Sequence, residues 1–433
     1  MRGACRLFYY RAIAPRLEAA RADTPVIWLG GPRQVGKSTL ARFAAQTNPG
    51  EPIQIPPGKA AATTALTRYL TLDDANVRAA VNEDPQAFLE RYRSEDWTVI
   101  DEVQRVPELL IALKREVDLD RRPGRYLLTG STNVLTIPRV AESLAGRMEL
   151  LSMWPLAQSE MEGTDPDLLV RLFEPLTLAW TSTETRSATI ERAVRGGYPE
   201  VVARATRARR NAWFGSYLAT VVAREIKSIS SIEDETAILR VLRMLASRSG
   251  GPRNIQSIAA DTKISGTTVS RYVSLLQSTF LITALPAWSR NLDKRLVTAP
   301  KLIVNDSGLC AHLLGLTGSD TGVGLLLETF VGAELQKLIS WSETPHTLMH
   351  FRTRRAQEVD FVIERADEQL VGVEVKAATT VTAADFTGLK TLAEAAGDRF
   401  SRGVVLYCGE RTLPFGSRLW AVPFAALWSP MER

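Results

Sequence analysis

Cysteine and histidine are scarce in this chain, three of each in 433 residues. Cys5, Cys310 and Cys408 are scattered, which excludes a disulfide framework and a zinc site built from paired cysteines. Three histidines add nothing to a metal case. No apolar run approaches the length that crosses a bilayer, and the start of the chain, Met1 to Arg11, lacks the apolar core and cleavage site of a secretory leader. A cytoplasmic address without a membrane partner is therefore expected. Hydrophobic residues make up 45% and charged residues 23%, the balance of a globular protein rather than a disordered one. The length predicts two to four domains. A net charge of +5 is a mild basic excess, compatible with nucleic acid but not diagnostic of it. The short basic clusters at 204–210 and 352–355 read as solvated faces more readily than as binding stripes.

What the chain does have is concentrated near its start. Residues 31–38 read Gly-Pro-Arg-Gln-Val-Gly-Lys-Ser, directly after the apolar run Val26, Ile27, Trp28, Leu29 and directly before a helical stretch beginning at Thr39. Strand, glycine-bearing turn and helix N-terminus in that order make a cradle for a polyphosphate. Gly31 and Gly36 let the backbone turn its N–H groups inward. Lys37 is placed to reach the β- and γ-phosphates, and Ser38 to hold Mg²⁺. The pattern predicts a nucleoside triphosphate site, with Gly31, Gly36, Lys37, Ser38 and Thr39 as its lining.

A second apolar strand, Trp97 to Ile100, ends in Asp101 and Glu102. That is the pattern of a Walker B strand, in which Asp101 holds the Mg²⁺ and Glu102 polarises the attacking water. The strand at 125–130 ends in hydroxyl residues. Thr129 and Ser131 are both candidates to sense the γ-phosphate, and spacing does not choose between them. Arg147, just before the apolar run 148–151, is a candidate for stabilising transition-state charge, either in its own site or in a neighbouring subunit's. Strands are expected at 26–30, 69–73, 97–101, 125–130 and 147–152, alternating with helices, which predicts a parallel three-layer sheet.

These pieces together resemble an ATPase of the broad AAA+ superfamily. More narrowly, the runs at 31–39, 101–107, 128–133 and 144–147 look like a prokaryotic family that joins such an ATPase to a C-terminal domain of unknown function with a restriction-endonuclease-like end. The resemblance covers nearly the whole chain and implies an ATP-driven intracellular protein.

Beyond 164 the pattern turns helical, with Trp213, Tyr217, Leu218, Val221 and Val222 at near-helical spacing and a break at Gly196 to Pro199. From 236, helices at 237–248, 255–261 and 267–277 precede strand-like runs at 280–285 and 301–305, the order of a winged helix-turn-helix. Its outward candidates are Thr268, Ser270, Arg271 and Ser274, with Lys294 and Arg295 in the wing. A winged helix also serves as a packing or protein-contact module.

Glu358 to Glu364 and Leu370 to Lys376 read as two strands of a hairpin. Centred on Asp367, the hairpin pairs Asp360 with Glu374 and Glu358 with Lys376. Alternation then puts those four on one face and Val359, Phe361, Ile363, Val371, Val373 and Val375 on the other. Like charges directly opposite are unfavourable, and a divalent cation would resolve them. The pattern resembles the Asp…Glu-x-Lys arrangement of the restriction-endonuclease-like superfamily. The resemblance implies metal ligation by Asp360, Glu374 and Glu328, with Lys376 acting on the water that attacks a phosphodiester. A hairpin with a charged solvent face, or a nuclease fold that only binds, remains the alternative.

The expected fold is thus α/β. A P-loop NTPase core with a parallel three-layer sheet occupies 1–164, and a helical connector or lid 165–235. A winged helix occupies 236–318, and a small α/β nuclease-like domain 319–433. The expected function is ATP binding and hydrolysis with Mg²⁺, coupled to DNA engagement, with Mg²⁺-dependent cleavage as its furthest form. The architecture admits a homo-oligomer. The alternative is a regulatory, signalling, toxin or defence NTPase whose C-terminal half binds protein partners and cuts nothing.

Overall fold

The computed structural model describes residues 9–48, 50–53, 69–93, 97–132, 146–226, 234–251, 254–291, 295, 298–317, 322–353 and 357–431. The wing residue Lys294 lies outside them. The chain divides into two compact units, Met1–Trp154 with Ser278–Phe280, and Pro155–Gln277 with Leu281–Arg433.

In the first unit, α1 (Ala14–Asp23) precedes β1 (Val26–Gly30), and α2 (Lys37–Gln46) follows it. Then come β2 (Tyr69–Thr71), α3 (Ala75–Glu83), α4 (Pro85–Arg91), β3 (Thr98–Asp101), α5 (Glu108–Leu119), β4 (Tyr126–Gly130) and β5 (Met148–Ser152). The strands form one sheet in the order β2-β3-β4-β1-β5, with every pairing parallel. Crossover connections explain why β1, β3 and β4 are buried at every position. Val26, Trp28, Ile100 and Leu128 pack with Val81, Leu89, Leu109, Leu113 and Val117 from α3, α4 and α5. Elsewhere α2 lies against β3 and β4, and α1 against β1. The parallel sheet and all five strands agree with the sequence reading to within about two residues, the usual uncertainty of a strand end.

The second unit begins with α6 (Gln158–Glu162), α7 (Leu168–Arg171), α8 (Arg186–Arg195), α9 (Pro199–Val202) and α10 (Arg207–Thr220), which runs into a π-helical turn over Val221–Ile226. The break between α8 and α9 falls at Gly196 to Tyr198, as the glycine pair predicts. Next are α11 (Glu235–Ser247), α12 (Ile255–Thr262), α13 (Gly266–Ser278), β6 (Ile282–Leu285) and β7 (Lys301–Val304), with β6 and β7 paired antiparallel. Three helices and a hairpin do occur in the expected order.

After α14 (Ser307–Leu314) and α15 (Val323–Trp341), the chain forms β8 (His346–Arg352), β9 (Glu358–Arg365), β10 (Leu370–Lys376), α16 (Thr387–Ala396), β11 (Phe400–Tyr407), β12 (Leu413–Pro414) and β13 (Leu419–Pro423). The sheet order is β12-β13-β11-β10-β9-β8. Phe361, Ile363, Val371 and Val373 share a core with α15, through Leu326, Leu327, Phe330 and Val331. The opposite face packs on Leu389 and Leu392 of α16.

One expectation about this sheet is corrected. Val359 joins the α16 core rather than that of Phe361 and Ile363. The cause is a bulge: Met349 pairs with Val362 and Phe351 with Val359, so Asp360 and Phe361 together face His350. An extra residue reverses the alternation of everything before it, so Val359 and Glu358 exchange faces. Glu358 lies opposite Arg352 of β8, 3.6 Å from its guanidinium, and the ladder between β9 and β10 does not extend to Glu358 and Lys376.

Candidate functional site

The phosphate loop leaves the carboxyl end of β1, where ligands of parallel sheets bind. Gly31 has φ +151 and passes so close to Met153 that a Cβ there would lie 2.1 Å from its carbonyl oxygen. Gly36 (φ +101) and Gln34 (φ +63) also take left-handed backbone, which curls the loop ahead of the first turn of α2. Lys37 folds back over the loop and donates to the carbonyls of Gly31 (2.9 Å) and Pro32 (2.8 Å). Arg11, buried and unremarked in the sequence, clamps the loop by donating to the Val35 and Trp154 carbonyls, each at 2.6 Å.

The end of β3 meets this loop. The Ser38 hydroxyl donates to Asp101 Oδ1 at 3.1 Å. Thr129 also donates to Oδ1, and the Tyr69 phenol donates to Oδ2 at 2.7 Å. Burial, aided by the adjacent carboxylate, pushes the Tyr69 phenol well above its ordinary value, so it stays a donor. Glu102 takes left-handed backbone (φ 61), and burial raises its carboxyl while the charge of Lys37 opposes that shift. Gln104 Nε2 donates to Glu102 at 2.5 Å and to Ser131 at 3.0 Å. Both hydroxyls left open by spacing therefore belong to the site, Thr129 on Asp101 and Ser131 on Glu102 through Gln104. An ion between Ser38 and Asp101 would replace one shared proton, so the donor set fits Mg²⁺.

Arg147 is not brought to this cluster. It stands at the amino end of β5, where Met148 pairs with Val26, whereas the loop leaves the far end at Gly30. The separation is about 15 Å, a strand length that an arginine side chain does not span. Its guanidinium is paired with Asp118 at 2.7 Å.

The C-terminal carboxylates do converge. Leu370 to Val373 pair with Glu364 to Phe361 in the register predicted by a turn centred on Asp367. The recorded ladder stops one pair short of Asp360 and Glu374, and the Asp360 carboxylate instead accepts the Val375 N–H at 2.9 Å. Burial, then the charge of Asp360, pushes both Glu328 and Glu374 up to about 7. Lys376 donates to Glu374 Oε1 at 3.0 Å, and Glu374 Oε2 is buried without a partner. Lys301, which belongs to none of the motifs, pairs with Glu328 and stands 3.7 Å from Asp360 Oδ1. Among the described residues, no group of three or more His, Cys, Asp or Glu side chains is arranged to hold a metal ion.

The wing cation Arg295 is held by both oxygens of Glu364, each at 2.9 Å. Ser270, Arg271 and Ser274 are exposed on α13, and Thr268 is half-buried.

Residues 23–162 match an AAA domain, and residues 186–320 and 323–427 match two domains of unknown function, DUF8612 and DUF4143. An uncharacterized protein of Mycobacterium tuberculosis is 27% identical over 426 residues, covering 97% of this chain and 84% of its own length. Another, from Haemophilus influenzae, is 25% identical over 283 residues, 63% of this chain and 64% of its own. A solved assembly of Thermococcus gammatolerans McrB AAA+ hexamers with bound McrC aligns at 10% identity and a TM-score of 0.23, covering 76% of this chain and 94% of that one. Residues 23–162 are thus similar to an AAA domain, and the two segments that follow resemble domains of unknown function.

Proposed function

We propose that this chain binds ATP with Mg²⁺ at residues 31–39 and hydrolyses it. The observation that carries the reading is the Ser38–Asp101 contact, which joins the phosphate loop to the end of β3. Backbone N–H groups of the loop and Lys37 bind the phosphates once Lys37 leaves the Gly31 and Pro32 carbonyls. Mg²⁺, when bound, neutralises charge on the β- and γ-phosphates. Glu102 takes the proton of the attacking water, and Thr129 and Tyr69 orient Asp101. Arg147 serves the site of a neighbouring copy in a homo-oligomer, since its own loop is out of reach. The test is hydrolysis of ATP by the full chain with and without Mg²⁺, and absence of nucleotide binding would refute the reading.

Hydrolysis is coupled, in this reading, to DNA engaged through α13, where Arg271 is exposed. Working on cellular ATP, the chain acts in the cytoplasm. Among the described residues no helix is long and apolar enough to cross a membrane. The four-part division at 164, 235 and 318 is kept as a finer proposal. Cleavage of DNA at Asp360, Glu374 and Lys376 is the furthest extension, and it requires those carboxylates to admit Mg²⁺. The ion pairs of Lys301 favour a second reading, an NTPase whose C-terminal half binds without cutting. A salt titration of DNA affinity separates the two, because phosphate contacts weaken steeply with salt.

A further inference from the structure

Lys301 opens β7, well before the carboxylate motif, in the segment that matches DUF8612, whereas Glu328, Asp360 and Glu374 lie in the segment that matches DUF4143. Its side chain is 5% exposed. The ammonium pairs with Glu328, donates to the Asp360 carbonyl oxygen at 2.9 Å, and stands 3.7 Å from the Asp360 carboxylate. It also lies 4.8 Å from the centre of the Phe361 ring, on its face. The charge therefore meets two carboxylates, a carbonyl and a π-face, the environment a buried ammonium needs.

The bulge at Asp360 and Phe361 creates that environment. It withdraws the Asp360 carbonyl from the β8 pairing, and a buried carbonyl must find another donor. Lys301 is that donor. On the far side of Glu328, Gly250 has φ +84, and a Cβ there would come within 2.3 Å of Glu328 Oε1. The backbone thus closes over the pair, with Glu328 held between Gly250 and Lys301.

A divalent cation ligated by Glu328 and Asp360 would need the oxygens that face Lys301. Three carboxylates and two lysines already leave the cluster with a formal charge of only −1. We infer that Lys301 is the resident cation of this cluster and excludes a divalent ion from it while β7 stays in place. The inference rests on reading Asp360 and Glu374 as potential metal ligands, and the experiment separates failure of that premise from failure of the inference.

The probe is Mn²⁺ alone, counted by electron paramagnetic resonance on the full chain without nucleotide, in an Asp101→Asn background that silences the first unit. The expected result is no Mn²⁺ held by the second unit with Lys301 present. Lys301→Met should then gain one Mn²⁺ per chain, about tenfold tighter or more, because removing a buried cation leaves its carboxylates uncompensated. Adding Asp360→Asn should abolish the gain. Mn²⁺ already bound with Lys301 in place, and lost on Asp360→Asn, would overturn the inference and leave the carboxylates standing as ligands. No Mn²⁺ in either form would overturn the premise and the inference with it. If Lys301→Met does not fold, Lys301→Gln keeps a donor for the Asp360 carbonyl without the charge, and the same outcomes apply.

Discussion

Each unit of this chain gathers carboxylates beside a lysine, yet the two arrangements treat charge in opposite ways. In the first, Asp101 and Glu102 receive hydrogen bonds from uncharged side chains (Ser38, Thr129, Tyr69 and Gln104), while Lys37 caps the carbonyls of its own loop. In the second, Glu328, Asp360 and Glu374 face Lys301 and Lys376 directly. Neutral partners orient a charge without cancelling it, so the first site keeps its capacity for a phosphate and a metal ion. Ion pairs cancel most of it, so the second is largely neutralised without a ligand, although Glu374 Oε2 keeps no hydrogen-bond partner. An acidic motif in a sequence therefore does not distinguish a binding site from an ionic lock; the partners do.

The largest expected effect separates the two sites outright. Lys37→Ala should lower ATP turnover by about 10³-fold, the scale of losing a group that stabilises transition-state charge. Asp360→Ala and Glu374→Ala should leave turnover unchanged, because they lie in the other unit. A steady-state ATPase assay on the three variants checks this, and a comparable loss in all of them would break the contrast.

Next in size is Arg147→Ala, expected to cost about 10²-fold in turnover with nucleotide binding retained. Mixing it with Glu102→Gln should restore part of the activity, because a mixed oligomer contains sites with both groups intact. Failure to complement in a demonstrated oligomer would remove the role across subunits.

A smaller effect sharpens the account of neutral partners. Tyr69→Phe deletes one donor to Asp101 and should raise the Mg²⁺ concentration for half-maximal turnover by about fivefold, equivalent to one hydrogen bond of about 1 kcal/mol. Maximal turnover at saturating Mg²⁺ should change little. A drop in maximal turnover with an unchanged Mg²⁺ requirement would assign Tyr69 another role. Smallest is Arg271→Ala, which should weaken DNA binding and flatten its salt slope by about one unit, as one phosphate contact is lost. Equal slopes for variant and parent would favour α13 as a packing or protein-contact element.

Much of the first site was legible because its signals are local: glycines at 31 and 36, a lysine at the helix start, a strand ending in Asp101 and Glu102. The register of the C-terminal hairpin was equally legible, since a symmetric turn at Asp367 fixes which residues of β9 and β10 meet. What escaped was non-local. Tyr69 reaches Asp101 only because β2 lies beside β3, and Arg11 reaches the phosphate loop from outside the motif. A bulge leaves no mark on alternation until the partner strand is known, so Val359 reads as a neighbour of Phe361 and Ile363 when it belongs to the α16 core. Lys301 is the extreme case, a strand-opening residue from another segment that sets the charge of a site it does not resemble.

The central claim is that the first unit hydrolyses ATP with Glu102 as the group that activates water. Glu102→Gln tests it most directly, with Mg·ATP binding measured by titration calorimetry and turnover by phosphate release on the same preparation. The account predicts one ATP bound per chain at the parent's affinity and turnover reduced by about 10²-fold or more. Turnover equal to the parent's would contradict the role of Glu102. Absence of ATP binding in the parent itself would contradict the account as a whole.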